Sequence, residues 1–501
     1  MQLQIERGAR DPMHRQIESR LRSLIESGDL RVGARLPPSR TLARSLGVNR
    51  ATVTAAYDAL AAAGLVEATV GRGTEVVRRD VAPSLPVLRP VNDTPADWSG
   101  FLASVLDQVQ PSADSSVERA AGGLDFTALV PDESLFPVDR LRRSVDVALR
   151  GQGATLLQYG PPRGHAPFRE LLAHRMRLLG MRVQPDEILV VNGAQQGLDL
   201  FCRALLDPGD AVVTESPTYG NLLPVLRLHR ADMIAVPMTP QGLDLDRLDT
   251  VLQSRRAKFL YTMPHFQNPT GITSALPHRK RLLEIAAHHD LPILEDGYEE
   301  DLRWDGGEVL PLRALDTSGR VCYLGTFSKG LCPGFRVGWL VASRELIAHL
   351  AHLKRTTDYH TPLVLQAALC DFVQRGEYDA HLRRLRRVYR ARMAAAAAAV
   401  RAHMPAGVRC RIPDGGYCLW FELPPEVSVD ELLPRLSRDG VHVTPGRHFF
   451  AGDPGYGCFR MSISRVDAQQ IEAGLTILGR HLHDLVDRAA PAAAGVAQPY
   501  I

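Results

Sequence analysis

The sequence predicts a multidomain chain of the α/β and α+β classes behind a small helical head, and three observations carry this. The 501 residues are more than one ordinary hydrophobic core organises. Residues 11 to about 77 are dense in helical periodicity, whereas residues 78 to about 120 are rich in Pro, Ser and Asp and read as a linker. From about Leu124 onward, short continuous apolar runs alternate with helical segments. The boundaries expected are a head over 1–79, a linker over 80–120 with a short helix around Phe101–Val109, and a body over 121–482. The body should include a smaller α+β part over roughly 345–482, and the tail 483–501 is expected to be disordered.

Seven runs in the body are strand candidates: Glu187–Val191, Ala211–Glu215, Asp232–Val236, Phe259–Met263, Pro292–Glu295, Val321–Gly325 and Val337–Ala342. They are continuously apolar and do not alternate, as strands covered on both faces should be. Helical patterns separate several of them, which predicts a mostly parallel sheet.

Composition narrows the function class. The net charge is +3, but residues 1–79 hold 13 arginines, no lysine and eight acidic residues. A basic head on a near-neutral body suits a polyanionic partner. The seven cysteines are scattered without a Cys-x-x-Cys pair, so neither a zinc knuckle nor a disulfide framework is expected, and a reducing cytoplasm fits. The start of the chain lacks the apolar core of a signal peptide, and no apolar run is long enough to span a bilayer. His278, His288 and His289 sit on a helical stretch without Asp or Cys at metal spacing, so no metal is expected.

In the head, Pro12–Ser27 places Ile17, Leu21, Leu24 and Ile25 on one helical face, with Gly28 as a C-cap. Ser39 can N-cap a short helix over Arg40–Leu46. Gly47-Val48-Asn49 then supplies a tight turn, and a second helix begins near Arg50. Two short helices around such a turn form a helix-turn-helix, with Arg50, Thr52 and Thr54 early in the second helix, where base edges and phosphates are met. Gly71-Arg72-Gly73 separates two β-prone runs in Leu65–Val77, which reads as a wing with Arg72 at its tip.

Four motifs in the body carry chemistry. In VVNGAQQGLDL a strand runs into Gly193 and a helix starts at Ala194-Gln195, whose backbone N–H groups suit a phosphate. ESPTYGN follows a strand with Tyr219, a flat ring at a turn. HFQNPTGI fixes the Asn268 amide before a Pro-Thr-Gly turn. EDGYEED and the later GTFSKG supply Asp296, Tyr298, Thr326, Ser328 and Lys329. A carboxylate such as Asp296 beside a pyridine nitrogen keeps it protonated, and Lys329 can form a Schiff base with an aldehyde. Thr326, Ser328 and Arg336 suit a phosphate, and Tyr298 can share a phenolic oxygen with Asn268. FRMSIS puts Arg460 on a strand, where its fork can grip a carboxylate.

The words RLPPSRTLARSLGVNRATVTAAYDALAAAGLV and GRGT resemble the GntR-type winged helix over most of residues 11–77. That resemblance implies double-stranded DNA as partner, with contacts from Ser39, Arg40, Arg50, Thr52 and Arg72. Thr54 stands where some relatives have another arginine. From about Leu124 to Leu482 the order of motifs resembles the fold type I enzymes that use pyridoxal 5'-phosphate, and specifically the aminotransferases. This implies a seven-stranded, mostly parallel sheet in a large domain and a small C-terminal α+β domain. It also implies Ala194 and Gln195 at the phosphate, Tyr219 stacked on the ring, Asn268 and Tyr298 on the phenolic oxygen, Asp296 on the ring nitrogen and the Schiff base on Lys329. Tyr159 would reach the phosphate of the neighbouring subunit.

Head and body together resemble the MocR family. Membership implies a transcription regulator that senses pyridoxal 5'-phosphate itself, or an amino acid or amine that reacts at Lys329. It implies a homodimer that pairs head to tail. Because Lys329, Asp296, Tyr298 and Arg460 are all present, a working aminotransferase with an appended DNA-binding domain stays open as the alternative.

Overall fold

The computed structural model describes residues 5–6, 11–69, 73–77, 102–108, 123–307 and 309–493. The chain divides into two compact units, Met1–Gly100 and Phe101–Ile501.

The first unit is three helices and a hairpin. Helices α1 (Met13–Glu26), α2 (Ser39–Leu46) and α3 (Arg50–Ala62) precede strands β1 (Val66–Thr69) and β2 (Gly73–Val76), which pair antiparallel. Ile17 and Leu21 of α1, Leu42 of α2 and Val53, Ala56 and Leu60 of α3 close one small core. α2 stops at Gly47, whose φ of 63° is the left-handed turn that separates it from α3. Asn49 caps α3 by accepting the Ala51 N–H. Ser39 departs from its expected role. The cap of α2 is Pro38 and makes no side-chain bond, while Ser39 Oγ accepts from Arg50 Nε at 3.3 Å.

The second unit is built on an eight-stranded sheet. In chain order come β3 (Leu124–Asp125), α4 (Val138–Leu156), α5 (Ala166–Leu178), β4 (Ile188–Val191), α6 (Ala194–Leu205), β5 (Ala211–Ser216) and α7 (Leu222–Leu228). Then follow β6 (Asp232–Thr239), β7 (Gly242–Leu243), α8 (Leu245–Ser254), β8 (Phe259–Thr262), α9 (Leu276–His288), β9 (Ile293–Asp296), α10 (Leu312–Leu315), β10 (Val321–Thr326) and β11 (Gly338–Val341). The strand order is β4-β11-β10-β9-β8-β5-β6-β7. Only β11 and β7 run against the others in this sheet. Every residue of β4, β8, β9, β10 and β11 is buried. Their unbroken apolar character follows from helices covering both faces. All seven expected runs lie in this sheet, and the two-residue edge strand β7 joins them.

The small part opens with the long helices α11 (Arg344–Thr357), α12 (Leu363–Gln374) and α13 (Glu377–His403). Strands β12 (Arg409–Arg411) and β13 (Cys418–Glu422), helix α14 (Val429–Arg438) and strands β14 (Val441–His442), β15 (Thr444–Pro445) and β16 (Cys458–Ser462) precede α15 (Ala468–Ala493). Its antiparallel sheet has the order β12-β13-β16-β15. The expectation of a disordered tail from residue 483 is corrected: α15 continues to Ala493, because Ile471, Leu475, Leu478, Leu482 and Leu485 bury one face of it. Before β3, the short helix expected around Phe101–Val109 is a 3-10 turn over Ser104–Gln108.

Candidate functional site

The chemistry gathers where strands end and helices begin, the usual place for ligands in open α/β sheets. β4 ends at Val191 and the chain turns at Gly193 into α6. Gly193 has a φ of +77°, and a Cβ there would lie 2.4 Å from Arg336 Nη2. Only glycine lets the guanidinium close over this turn. Across the sheet, Gly338 of β11 pairs with Val191 on one side and Thr326 on the other. Thr326 Oγ1 lies 3.0 Å from Ser328 Oγ and accepts the Ser328 N–H. The N-terminus of α6, two hydroxyls and Arg336 thus collect in one cradle suited to a phosphate. The Gln195 side chain faces elsewhere. Its amide donates to the Asn221 carbonyl at 3.1 Å, and its oxygen accepts from Tyr219 at 3.3 Å.

Asp296 ends β9 and is 4% exposed. Its Oδ2 accepts from the Tyr261 hydroxyl at 2.6 Å, while Oδ1 is buried without a hydrogen-bond partner. Burial pushes this carboxyl up to about 6, against the Tyr261 bond and the charge of Lys329. Asn268, buried at a cis Asn-Pro bond, accepts from Arg460 Nη1 through Oδ1 at 2.9 Å. Its Nδ2 has no partner. These two uncommitted atoms have the chemistry that a pyridinium nitrogen and a phenolic oxygen need, so the residues present fit pyridoxal 5'-phosphate. Lys329 Nζ donates to the Leu129 carbonyl, and the Lys329 carbonyl accepts from the Tyr417 hydroxyl at 2.8 Å.

Two expected residues stand differently. Tyr298 does not converge with Asn268 on one oxygen. Its hydroxyl donates to the Phe266 carbonyl at 2.6 Å, and a phenol has only one proton to give. Arg460 is fully buried and is committed to Asn268 and the Thr127 carbonyl, so it positions Asn268 as well as facing the site. Tyr159 is 83% exposed and its ring lies 5.5 Å from that of Tyr359.

Tyr261, Asn221, Glu299 and Tyr417 are site residues that sequence reasoning did not single out. Tyr261 falls inside an expected strand, where a tyrosine reads as packing. Asn221 closes the ESPTYGN motif, and its amide donates to the Tyr219 hydroxyl at 3.0 Å.

In the first unit, Arg40 and Arg50 are exposed, whereas Ser39 and Thr52 are half-buried. Arg50 opens α3, and Thr54 spends its hydroxyl on the Arg50 carbonyl at 3.1 Å. Arg72 lies outside the described residues.

A helix-turn-helix with basic residues at its second helix, joined to a cofactor-binding α/β body, defines a DNA-binding regulator of the ligand-responsive kind. Residues 13–76 match the model of the bacterial regulatory proteins of the gntR family, and residues 131–478 match that of the class I and II aminotransferases. The chain is 32% identical, over 95% of its own length and 95% of the relative's, to a Rhizobium meliloti protein described as "Probable rhizopine catabolism regulatory protein MocR". It is 35% identical, over 78% of its length and 99% of the relative's, to the 2-aminoadipate transaminase of Thermus thermophilus. The crystal structure of the α-aminoadipate aminotransferase LysN from that organism superposes with a TM-score of 0.73 at 34% identity, covering 78% of this chain and all of that one. The chain belongs to the MocR family, the DNA-binding transcriptional regulators that join a GntR helix-turn-helix to a class I and II aminotransferase domain with pyridoxal 5'-phosphate as cofactor. Among the described residues, no helix is long and apolar enough to cross a membrane.

Proposed function

We propose that the body senses an amino acid, an amine or the cofactor itself at Lys329 and that the head answers with a change in affinity for duplex DNA. The observation that carries this is the pair of buried, uncommitted atoms Asp296 Oδ1 and Asn268 Nδ2, in a unit that shares its chain with a helix-turn-helix. When bound, pyridoxal 5'-phosphate supplies a reactive aldehyde and an electron-withdrawing ring. Lys329 would hold it, Asp296 would keep a proton at the ring nitrogen and Asn268 would donate to the phenolic oxygen. Ala194, Gln195 (through its backbone), Thr326, Ser328 and Arg336 would hold the phosphate, with Tyr219 against the ring and Tyr298 as a neutral phenol beside it. Arg460 would take an effector carboxylate.

Ser39, Arg40, Arg50, Thr52 and Arg72 would meet DNA. The domains in this reading run 1–79 and 121–482 about a linker over 80–120. We place the protein in the cytoplasm as a head-to-tail homodimer, with the exposed Tyr159 reaching the partner subunit's phosphate site. For an effector to switch anything it must favour one conformation over another.

The test is an absorbance titration with amino acids and amines, run beside operator binding. Lys329→Ala should abolish the borohydride-trapped cofactor adduct, and an adduct on another lysine would overturn the assignment. Turnover of an amino donor would favour the aminotransferase reading, which the joint presence of Lys329, Asp296 and Arg460 keeps in view.

A further inference from the structure

Glu299 has no part in the reading above, yet it is 1% exposed in the turn after β9. Its neighbourhood is cut to admit a carboxylate. Gly416 has a φ of +72°, and a Cβ there would lie 2.3 Å from Glu299 Oε2. Neither carboxylate oxygen has a hydrogen-bond partner of ordinary geometry among the described residues. The Tyr298 hydroxyl and the Tyr417 N–H are near enough to favour its charged form, but that hydroxyl donates to Phe266.

A carboxylate buried this deeply keeps its charge only where cations offset the lost hydration. Lys329 is the strongest such influence on Glu299, and Arg460 is a weaker one. Burial works against both and carries the carboxyl up to about 7. Arg460 is already committed to Asn268 and the Thr127 carbonyl.

Other groups reach Lys329 from the packed elements. Asp296 comes from β9 and is oriented by Tyr261 of β8. Tyr298 follows it, Tyr417 and Cys418 come from β13 and the residue before it, and Arg460 comes from β16. Burial pushes the phenols of Tyr261, Tyr298 and Tyr417 well above their ordinary range, so they stay neutral. Arg460 repels the ammonium. Asp296 is taken up by the ring nitrogen.

We propose that Glu299 is the counter-charge of Lys329, a positioning residue that sets the protonation state of the lysine nitrogen when the cofactor is attached to it. The proposal rests on Lys329 as the point of attachment. While the lysine nitrogen is positive, Glu299 stays ionised. When that nitrogen gives up its proton, Glu299 becomes the easier of the two to protonate, so one proton is shared between them.

The experiment titrates, against pH, the absorbance of the lysine-bound cofactor in full-length protein loaded with pyridoxal 5'-phosphate, comparing wild type, E299Q and E299D. Removing an opposite charge at this range should lower the pKa of that chromophore by roughly one to three units. E299D should return most of the shift, and both variants should keep the fold by circular dichroism. An unchanged pKa in E299Q, with the chromophore present, would overturn the proposal and leave Lys329 standing. Should E299Q fail to load, E299D carries the test: a lowered pKa supports the proposal, and the wild-type value overturns it. A wild-type protein whose adduct maps to another lysine would overturn the reading of Lys329 itself.

Discussion

At the scale of single residues, Asp296 shows how a fold spends stability on a site. One oxygen is held by Tyr261 and the other has no partner, so the ionised form is poorly compensated in the cofactor-free protein. Its folded pKa of about 6 lies above the usual carboxylate range. The sign follows from linkage: stability associated with Asp296 is fully present below its unfolded pKa and is lost as pH rises through the folded one. Asp296→Asn keeps an acceptor for Tyr261 and removes the ionisation. The cofactor-free variant should therefore lose less melting temperature than wild type between about pH 5 and about pH 8. The same variant should bind pyridoxal 5'-phosphate at least tenfold more weakly, because an amide cannot hold the ring nitrogen protonated. Parallel melting curves with wild type would count against this account of Asp296.

At the scale of elements, the phosphate cradle depends on the turn between β4 and α6. Gly193→Ala would force a Cβ into the Arg336 guanidinium and strain a positive φ. Cofactor affinity should fall tenfold or more while operator binding by the separate first unit persists. Cofactor fluorescence and gel-shift titrations read the two independently, and unchanged cofactor affinity would remove the cradle from the turn. The recognition element makes its own prediction. Arg50 is exposed at the start of α3, and Arg50→Ala should cost about 1–3 kcal/mol on operator DNA if it reads a base edge. An equal loss on random DNA would assign Arg50 to phosphate alone. Elements were the most legible level of this sequence. The runs buried on both faces announced themselves, whereas Asp232–Val236 continues to Thr239 because β6 alternates between buried and exposed residues towards the sheet edge. Site residues inside local motifs, such as Asn268 and Lys329, could be read the same way. Tyr261 and Glu299 could not, because residue type does not reveal a hydrogen bond across 35 positions or the glycine that admits a carboxylate.

At the scale of the whole molecule, the question is how occupancy of the body is reported to DNA, and Arg460 is where it can be tested. Its fork suits a carboxylate, but the structure gives it a second duty, since Nη1 donates to the Asn268 oxygen and Nη2 to the Thr127 carbonyl. Arg460→Ala would strip Asn268 of its anchor and so confound effector recognition with cofactor binding. Arg460→Lys is the cleaner variant. It keeps a cation and one donor for Asn268 but loses the planar, bidentate grip. The expectation is that Arg460→Lys retains the cofactor absorbance and the operator affinity measured without effector. It should need at least tenfold more of a carboxylate-bearing effector to shift that affinity, because a bidentate charged pair is replaced by a single contact. Three measurements on one protein separate the outcomes. Loss of cofactor or of basal DNA binding would make Arg460 structural. A full response at unchanged effector concentration would mean that the ligand carries no carboxylate, leaving an amine or the cofactor itself as what the body senses.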